Sequence, residues 1–386
     1  MSQLTLPEPS DDLKRLSETL SAAIRQEITR HGPIPFSRFM EMALYQPGLG
    51  YYSAGLHKLG ASGDFVTSPE LGSLFAACLA RQIGQIAGHL GNYDILEVGA
   101  GSGRLAADLL RMLNAEQLPG RYMILERSAD LIQVQKEHMA SLEPALWERV
   151  EWLDRPPEES WRGVLLANEV IDALAIERFR TTDTGLEQLC VDDKDGRFHW
   201  ASRPAPKELA EAVGSLGVEM PANYCSELNL QLGPWLEAMT CHLEQGLALF
   251  IDYGYPRREF YLPQRSDGTL ICHYRHRAHD DVFFWPGLQD ITAWVDFTAL
   301  AEASDLCRLQ VEGYTNQTMF LLGCGLEQVL AEQTEISNDG GMALNAQARQ
   351  LTLPGMMGEK FQVMGLGREL GFPLAGFSLL DLCHRL

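Results

Sequence analysis

Three glycines stand one residue apart in Ile95-Leu-Glu-Val-Gly99-Ala-Gly101-Ser-Gly103-Arg104, directly behind an apolar run that carries one acid, Glu97. Glycine lets the backbone turn sharply after a strand and opens main-chain N–H groups that a Cβ would block. Such a loop suits a ligand with polar or anionic groups. A nicotinamide-type loop would place a further glycine or alanine at the sixth position from Gly99, where this chain has Arg104. That departure counts against a dinucleotide. Acids also close the next two apolar runs, Glu126 after Tyr122-Met-Ile-Leu and Asp154 after Val150-Glu-Trp-Leu. A fourth run ends in Leu166-Ala-Asn168-Glu169-Val-Ile-Asp172-Ala173. Carboxylates at that place can grip a planar cation through paired hydrogen bonds and orient it. Each group also has a plainer reading. Glu126 can be a solvated strand end, Asp154 a turn residue before Pro156-Pro157, and Asn168 with Glu169 caps of the next helix.

These residues need a scaffold that brings strand ends together. Short apolar runs at 94–98, 122–125, 150–153, 164–167 and 247–251 alternate with helical stretches, which argues for a parallel sheet covered on both faces. Late strands are expected at 309–314 and 361–364. Ahead of the core, residues 10–31 and 36–45 have helical spacing, divided by Pro33 and Pro35 and ended by Pro47-Gly48. Residues 48–72 form a long loop dense in glycine, serine and tyrosine, and 71–88 resume helical spacing. Residues 176–202 alternate with period two around Asp183-Thr-Gly and Asp195-Gly196, the pattern of an inserted antiparallel meander. The expected organisation is an N-terminal helical region over residues 1–90. An α/β core follows over 91–386, interrupted at about 176–245 and 255–305.

The chain has 386 residues, 46% of them hydrophobic and 22% charged, enough to bury a large core. Its net charge of −21 repels phosphate backbones and anionic membranes, so general nucleic-acid binding is disfavoured and a cationic partner suits it better. No apolar run reaches the roughly 20 residues that span a bilayer, so no membrane insertion is expected. The first residues, MSQLTLPEPSDD, lack a secretory pattern and are too acidic for a mitochondrial presequence. Eight scattered cysteines without a CxxC pair read as free thiols in a reducing compartment, the cytosol.

The glycine triplet after Glu97 resembles the first motif of Rossmann-like S-adenosylmethionine methyltransferases. By that resemblance Gly99, Gly101 and Gly103 hold the cofactor, Glu126 takes the ribose hydroxyls and Asp154 accepts from the adenine amino group. Ligands of open parallel sheets lie beyond the carboxyl ends of the strands, which places Asn168, Glu169 and Asp172 beside the sulfonium. If the acceptor is a guanidinium, Glu169 grips it and Asp172 is a second carboxylate or its support.

Over nearly its whole length the sequence resembles the MidA family. The resemblance rests on Tyr45-Gln-Pro-Gly-Leu-Gly-Tyr-Tyr52, Gly63-Asp-Phe-Val-Thr-Ser-Pro-Glu70, the loop at 97–103, Ala167-Asn-Glu169 with Asp172-Ala173, and Ile251-Asp-Tyr-Gly254. It continues through Gly268-Thr-Leu270 with His276, Pro286-Gly287 with Asp290, Val295-Asp-Phe297, and Met357-Gly358 before Phe361. The family's members are S-adenosylmethionine-dependent methyltransferases. Its mitochondrial members assist respiratory complex I assembly by symmetric dimethylation of arginine on a core subunit. The resemblance implies a Rossmann-like class I methyltransferase core with an N-terminal helical cap. It also implies a protein substrate carrying the target arginine, with a complex I core subunit as the family's example, and leaves the oligomeric state open. It makes 63–70 a loop closing over the cofactor, with Asp64, Thr67, Ser68 and Pro69 as contacts. The same segment also reads as a cap for the helix at 71–88, with Ser68 as the capping residue.

The chain departs from the family pattern at Ala76-Ala77, Ala175 and Val282, none of them a proposed ligand or catalytic group. His273, His276 and His279 recur every third residue, but Arg275 and Arg277 lie between them, and no metal is expected. His276 is instead expected to bond an acid such as Asp280 or Asp290. Tyr253 reads equally as a wall of the acceptor site or as packing. Two other functions share these features: a small-molecule methyltransferase, and an assembly chaperone that uses the cofactor only structurally.

Overall fold

The computed structural model describes residues 6–55, 67–335, 337 and 340–386, which fall into two compact units. One unit comprises 66–171, 233–254 and 297–386 and holds the parallel sheet. Its strands are β1 (Asp94–Val98), β2 (Tyr122–Leu125), β3 (Val150–Leu153), β4 (Trp161–Asn168), β5 (Leu243–Tyr255), β6 (Gln310–Asn316) and β7 (Phe361–Arg368). They run in the spatial order β3-β2-β1-β4-β5-β7-β6. The first five are mutually parallel, and β7 lies antiparallel between β5 and β6. The order reverses between β1 and β4, the switch point where open α/β sheets leave a crevice.

The apolar runs become strands because both sheet faces are covered, so no polar alternation is needed. Ile95, Val164, Leu166, Leu247, Leu249 and Ile251 bury against the helices Ser73–Leu90 and Arg104–Met112 through Leu79, Ile83, Leu105 and Leu109. The helix Ser73–Leu90, read from the sequence as part of an N-terminal region ending at residue 90, belongs with this core instead. Its buried face carries Leu74, Phe75, Cys78, Leu79 and Ile83, a stripe that only a sheet-sized apolar surface can cover.

The other unit comprises the chain up to residue 65 with 172–232 and 255–296. The helices Asp11–His31 and Phe36–Tyr45 pack Leu20, Ile24, Phe36, Phe39 and Met40 against Val191, Cys272 and Ile291. The expected meander is present as Glu177–Thr182, Gly185–Lys194 and Arg197–Pro204, antiparallel throughout. Its second turn, Asp195-Gly196, has φ of +54° and +77°, the twist that a tight hairpin requires. The segments inserted in the core thus run over 172–232 and 255–296, where the sequence suggested 176–245 and 255–305. A strand at Cys225–Leu228 and a three-stranded sheet of Ile271–Tyr274, Arg277–His279 and Asp290–Thr292 were not anticipated. They are too short for a period to show. Among the described residues, no helix is long and apolar enough to cross a membrane.

The three central strands start side by side with Asp94 opposite Gly163 and Gly163 opposite Gly246. A Cβ on Gly246, at φ +150°, would lie 1.9 Å from the Gly163 carbonyl oxygen, and one on Gly163 would lie 1.8 Å from that of Asp94. Gly246→Ala is expected to destabilise the protein by about 3 kcal/mol or more, since backbone must move apart in the sheet centre. Denaturant melts of the variant beside wild type measure this.

Candidate active site

The carboxyl ends of β1 and β4 meet at the switch point, and each ends in a sharp backbone turn. After β1, Gly99, Gly101 and Gly103 have φ of +65°, +54° and +78°. A side chain on Gly103 would strike Met139 Cε at 2.6 Å and the Gln135 backbone at 3.2 Å. Conformation favours glycine here and the tight space adds to it, and the loop keeps the room that a cofactor needs. After β4, Glu169 takes φ +54°, an uncommon conformation for a residue with a Cβ. Three bonds to β5 hold it there. The Glu169 N–H donates to the Ile251 carbonyl at 2.9 Å, and the buried Asp252 carboxylate accepts from the N–H groups of Val170 (3.2 Å) and Ile171 (2.9 Å). Asp252 also accepts from the Tyr253 N–H at 2.8 Å. Strain at one residue persists where surrounding bonds over-determine it, and such residues gather at functional sites.

Beside Glu169, Asn168 donates from its amide to the Glu169 carboxylate at 3.2 Å, while its own buried Oδ1 accepts no hydrogen bond. Val170 lies against the glycine loop, its Cγ2 3.4 Å from the place of a Cβ on Gly99. Glu126 ends β2 with its carboxylate fixed by the Ser128 N–H (2.9 Å) and the Gln135 amide (3.2 Å). Ser128 and Gln135 approach it from the protein side, one at each oxygen. The glycine cradle and Glu126 therefore fit a nucleoside-bearing cofactor.

Glu97 sits below the loop, 5% exposed, and accepts from the Tyr122 hydroxyl at 2.7 Å. Burial pushes its carboxyl up to about 7, the Tyr122 bond opposes that rise, and the nearby Glu126 charge adds to it. Asp154 ends β3 almost fully exposed and pairs loosely with Arg155. Pro69 is buried, and so is Ser68, whose hydroxyl donates to Gln317 at 3.1 Å. Ser68 therefore does not cap the following helix as expected; Gly72 stands at that position. Thr67 precedes the short helix Ser68–Leu71 without a side-chain capping bond. Asp64 lies outside the described residues. Glu70, which closes the 63–70 segment, reaches the glycine loop. Its carboxylate accepts from the Ser102 hydroxyl, and its carbonyl accepts from Arg104 at 3.1 Å.

Asp172 falls in the other unit, buried, with its carbonyl accepting from the Ala293 N–H at 3.0 Å. The neighbouring Ala173 carbonyl takes the Tyr45 hydroxyl at 2.8 Å. Tyr45 stacks on Tyr52, which donates to Asp290 at 2.9 Å. Burial drives the Tyr52 hydroxyl well above the usual tyrosine range, and the Asp290 and Asp172 carboxylates drive it further. The Tyr45–Tyr52 motif thus bonds Asp290 and the backbone beside Asp172, an arrangement that spacing alone does not reveal. His276 does not face Asp290. It forms the exposed tip of a hairpin with Arg275, at φ +59° and +48°, while His273 is the residue in register with Asp290. Tyr253 lies on Phe361 at 3.9 Å between ring centres, on the packing side of its two readings.

Comparison with known proteins bears on this arrangement. The profile of a family of putative S-adenosyl-L-methionine-dependent methyltransferases matches residues 78–315. The structure of a Burkholderia thailandensis protein bound to S-adenosyl-homocysteine is 40% identical over 99% of this chain and all of that one, with a TM-score of 0.94. Zebrafish protein arginine methyltransferase NDUFAF7, mitochondrial, is 28% identical over 94% of both chains. The Drosophila melanogaster homologue of the same name is 26% identical over 96% of this chain and 91% of its own.

Two outcomes follow from the supporting acids. The fold holds the Glu97 carboxyl more tightly when it is neutral, because its folded value of about 7 exceeds the ordinary 4.5. Its contribution is complete below that ordinary value and is lost as pH rises through the folded one. Stability is expected to fall by up to about 3 kcal/mol over that window, and Glu97→Gln removes the slope in denaturant melts at several pH values. Asp252→Asn sets an amide N–H against backbone N–H donors. It is expected to cost about 1–3 kcal/mol of stability and to lower methyl transfer more than cofactor affinity. Melting curves and S-adenosylhomocysteine titration on the same preparation read both effects.

Proposed function

Because the chain belongs to the family of S-adenosyl-L-methionine-dependent methyltransferases, we propose that it methylates arginine on a protein substrate. The observation that carries this reading is Glu169, a carboxylate held on strained backbone at the switch point, next to Val170, which lies against Gly99 of the glycine loop. Gly99, Gly101 and Gly103 would hold S-adenosylmethionine through their backbone, with Glu126 on the ribose and Asp154 near the adenine. Thr67, Ser68, Pro69 and Glu97 complete the proposed surroundings. Bound there, S-adenosylmethionine supplies an electrophilic methyl group.

The chain's own residues then have to bind and aim the acceptor. Glu169 accepts two N–H bonds from a guanidinium, localises its positive charge away from one nitrogen and turns that nitrogen toward the methyl. Asn168 offers its unpaired Oδ1 as a further acceptor. Asp172 is kept as a second carboxylate from its place in the sequence. A methyl displacement depends on alignment, so positioning by these groups supplies much of the rate. The names of the animal relatives support a protein arginine as acceptor. A subunit of respiratory complex I as client is proposed from the family resemblance. The eight free thiols support a reducing compartment, for which the cytosol is proposed, whereas these relatives are named mitochondrial.

The test is transfer of labelled methyl from S-adenosylmethionine into extract of cells lacking the protein, with protein and small-molecule fractions counted separately. Wild type is expected to label a discrete protein band whose hydrolysate contains methylated arginine. Glu169→Ala is expected to lose about 10²-fold in transfer while still binding S-adenosylhomocysteine. Label confined to small molecules would refute the protein substrate. Full transfer by Glu169→Ala would remove Glu169 from the catalytic role.

A further inference from the structure

Gln135 is a fully buried polar side chain whose bond to Glu126 is one of three. It lies on the helix Ala129–Met139, which packs tightly against Gly103. Its amide Nε2 donates to the Gly101 carbonyl at 3.1 Å and to the Glu126 carboxylate at 3.2 Å, and its Oε1 accepts from the Trp152 indole N–H at 2.9 Å. An indole N–H can only donate, while a carbonyl and a carboxylate can only accept. The orientation of the amide is therefore set by its partners. Both N–H groups are used, and nothing about the amide is left to water.

We propose that Gln135 is a positioning residue for the cofactor, locking the glycine loop and Glu126 into one geometry. A leucine would fill a helix–sheet contact here without the cost of desolvating an amide. The amide does what an apolar side chain cannot. It joins the loop after β1 to the acid after β2, the two groups that have to meet the same ligand from different strands. Ser128 holds the other oxygen of Glu126, so the carboxylate is clamped from both sides and its orientation is set. Trp152 on β3 in turn holds the amide, which extends the clamp across three strands. The clamp lowers the cost of ordering the site when the cofactor binds.

This inference rests on S-adenosylmethionine occupying the glycine loop. The experiment is calorimetric titration of S-adenosylhomocysteine into wild type, Gln135→Leu and Gln135→Glu at pH 8, with melting temperatures measured on the same samples. Both variants are expected to raise the dissociation constant at least tenfold. In methyl transfer the KM for S-adenosylmethionine should rise in parallel, with kcat at saturation within about threefold of wild type. Gln135→Glu keeps the shape of the side chain but sets a carboxylate against Glu126, so it is expected to weaken binding at least as much as Gln135→Leu. Wild-type affinity in Gln135→Glu would reduce Gln135 to packing and overturn the assignment, even if Gln135→Leu fails to fold. Wild type that binds no S-adenosylhomocysteine would overturn the cofactor reading itself, an outcome distinct from unchanged affinity in the variants.

Discussion

A parallel sheet brings every strand end to one edge, and there the chain must turn with main-chain groups that no neighbouring strand can satisfy. Left unpaired away from water, each such group costs as much as a lost hydrogen bond. In this protein buried side chains meet that demand. Asp252 takes the N–H groups that follow Glu169, and Gln135 takes the carbonyl of Gly101. The same bonds that make the turns tolerable also aim what lies on them. Relaxing either turn would spoil the site before it unfolded the sheet.

The density of acid at this edge is the other side of that arrangement. Glu97, Glu126, Glu169 and Asp252 belong to one unit and crowd the ends of adjacent strands, so each needs donors or burial in the neutral form. Backbone N–H groups serve Asp252, Ser128 and Gln135 serve Glu126, and Tyr122 serves Glu97, whose proton affinity rises as well. Arg104, which argues against a dinucleotide by its place in the sequence, turns its guanidinium to the Glu70 carbonyl and the Asp108 carboxylate. A cationic acceptor, as proposed above, would bring the opposite charge to this concentration of carboxylates.

Much of this was legible in advance because it follows from local pattern. The apolar runs ending at Val98 and Leu125 became strands with those same ends, since a strand covered on both faces needs nothing beyond a short apolar run; the run ending at Leu153 forms the edge strand, with Glu151 exposed. The glycine triplet was legible because positive φ excludes most other residues. The misses have a common cause. Nothing in Gln135 distinguishes it from a surface residue in a one-dimensional reading, and the motif at 251–254 shows Asp252 without its role; their partners are 34 and 81 residues away in the chain. Ser68 was read as a helix cap from its neighbours, but Gln317, far along the chain, draws its hydroxyl inward. His276 was paired with an acid by motif, and the hairpin register gave that place to His273.

The sequence by itself determined the strand and helix periods, the sharp turn at Gly99–Gly103 and the acids at strand ends, because each depends on the residue and its near neighbours. Tertiary structure decided which acids are clamped, which are buried neutral and which stay in water. Glu126, Glu97 and Asp154 look alike as acids in or just after strands, yet one is held by Ser128 and Gln135, one is buried against Tyr122 and one is exposed. That division rests on desolvation and on donors brought in from distant segments. Neither exists until the strands are side by side.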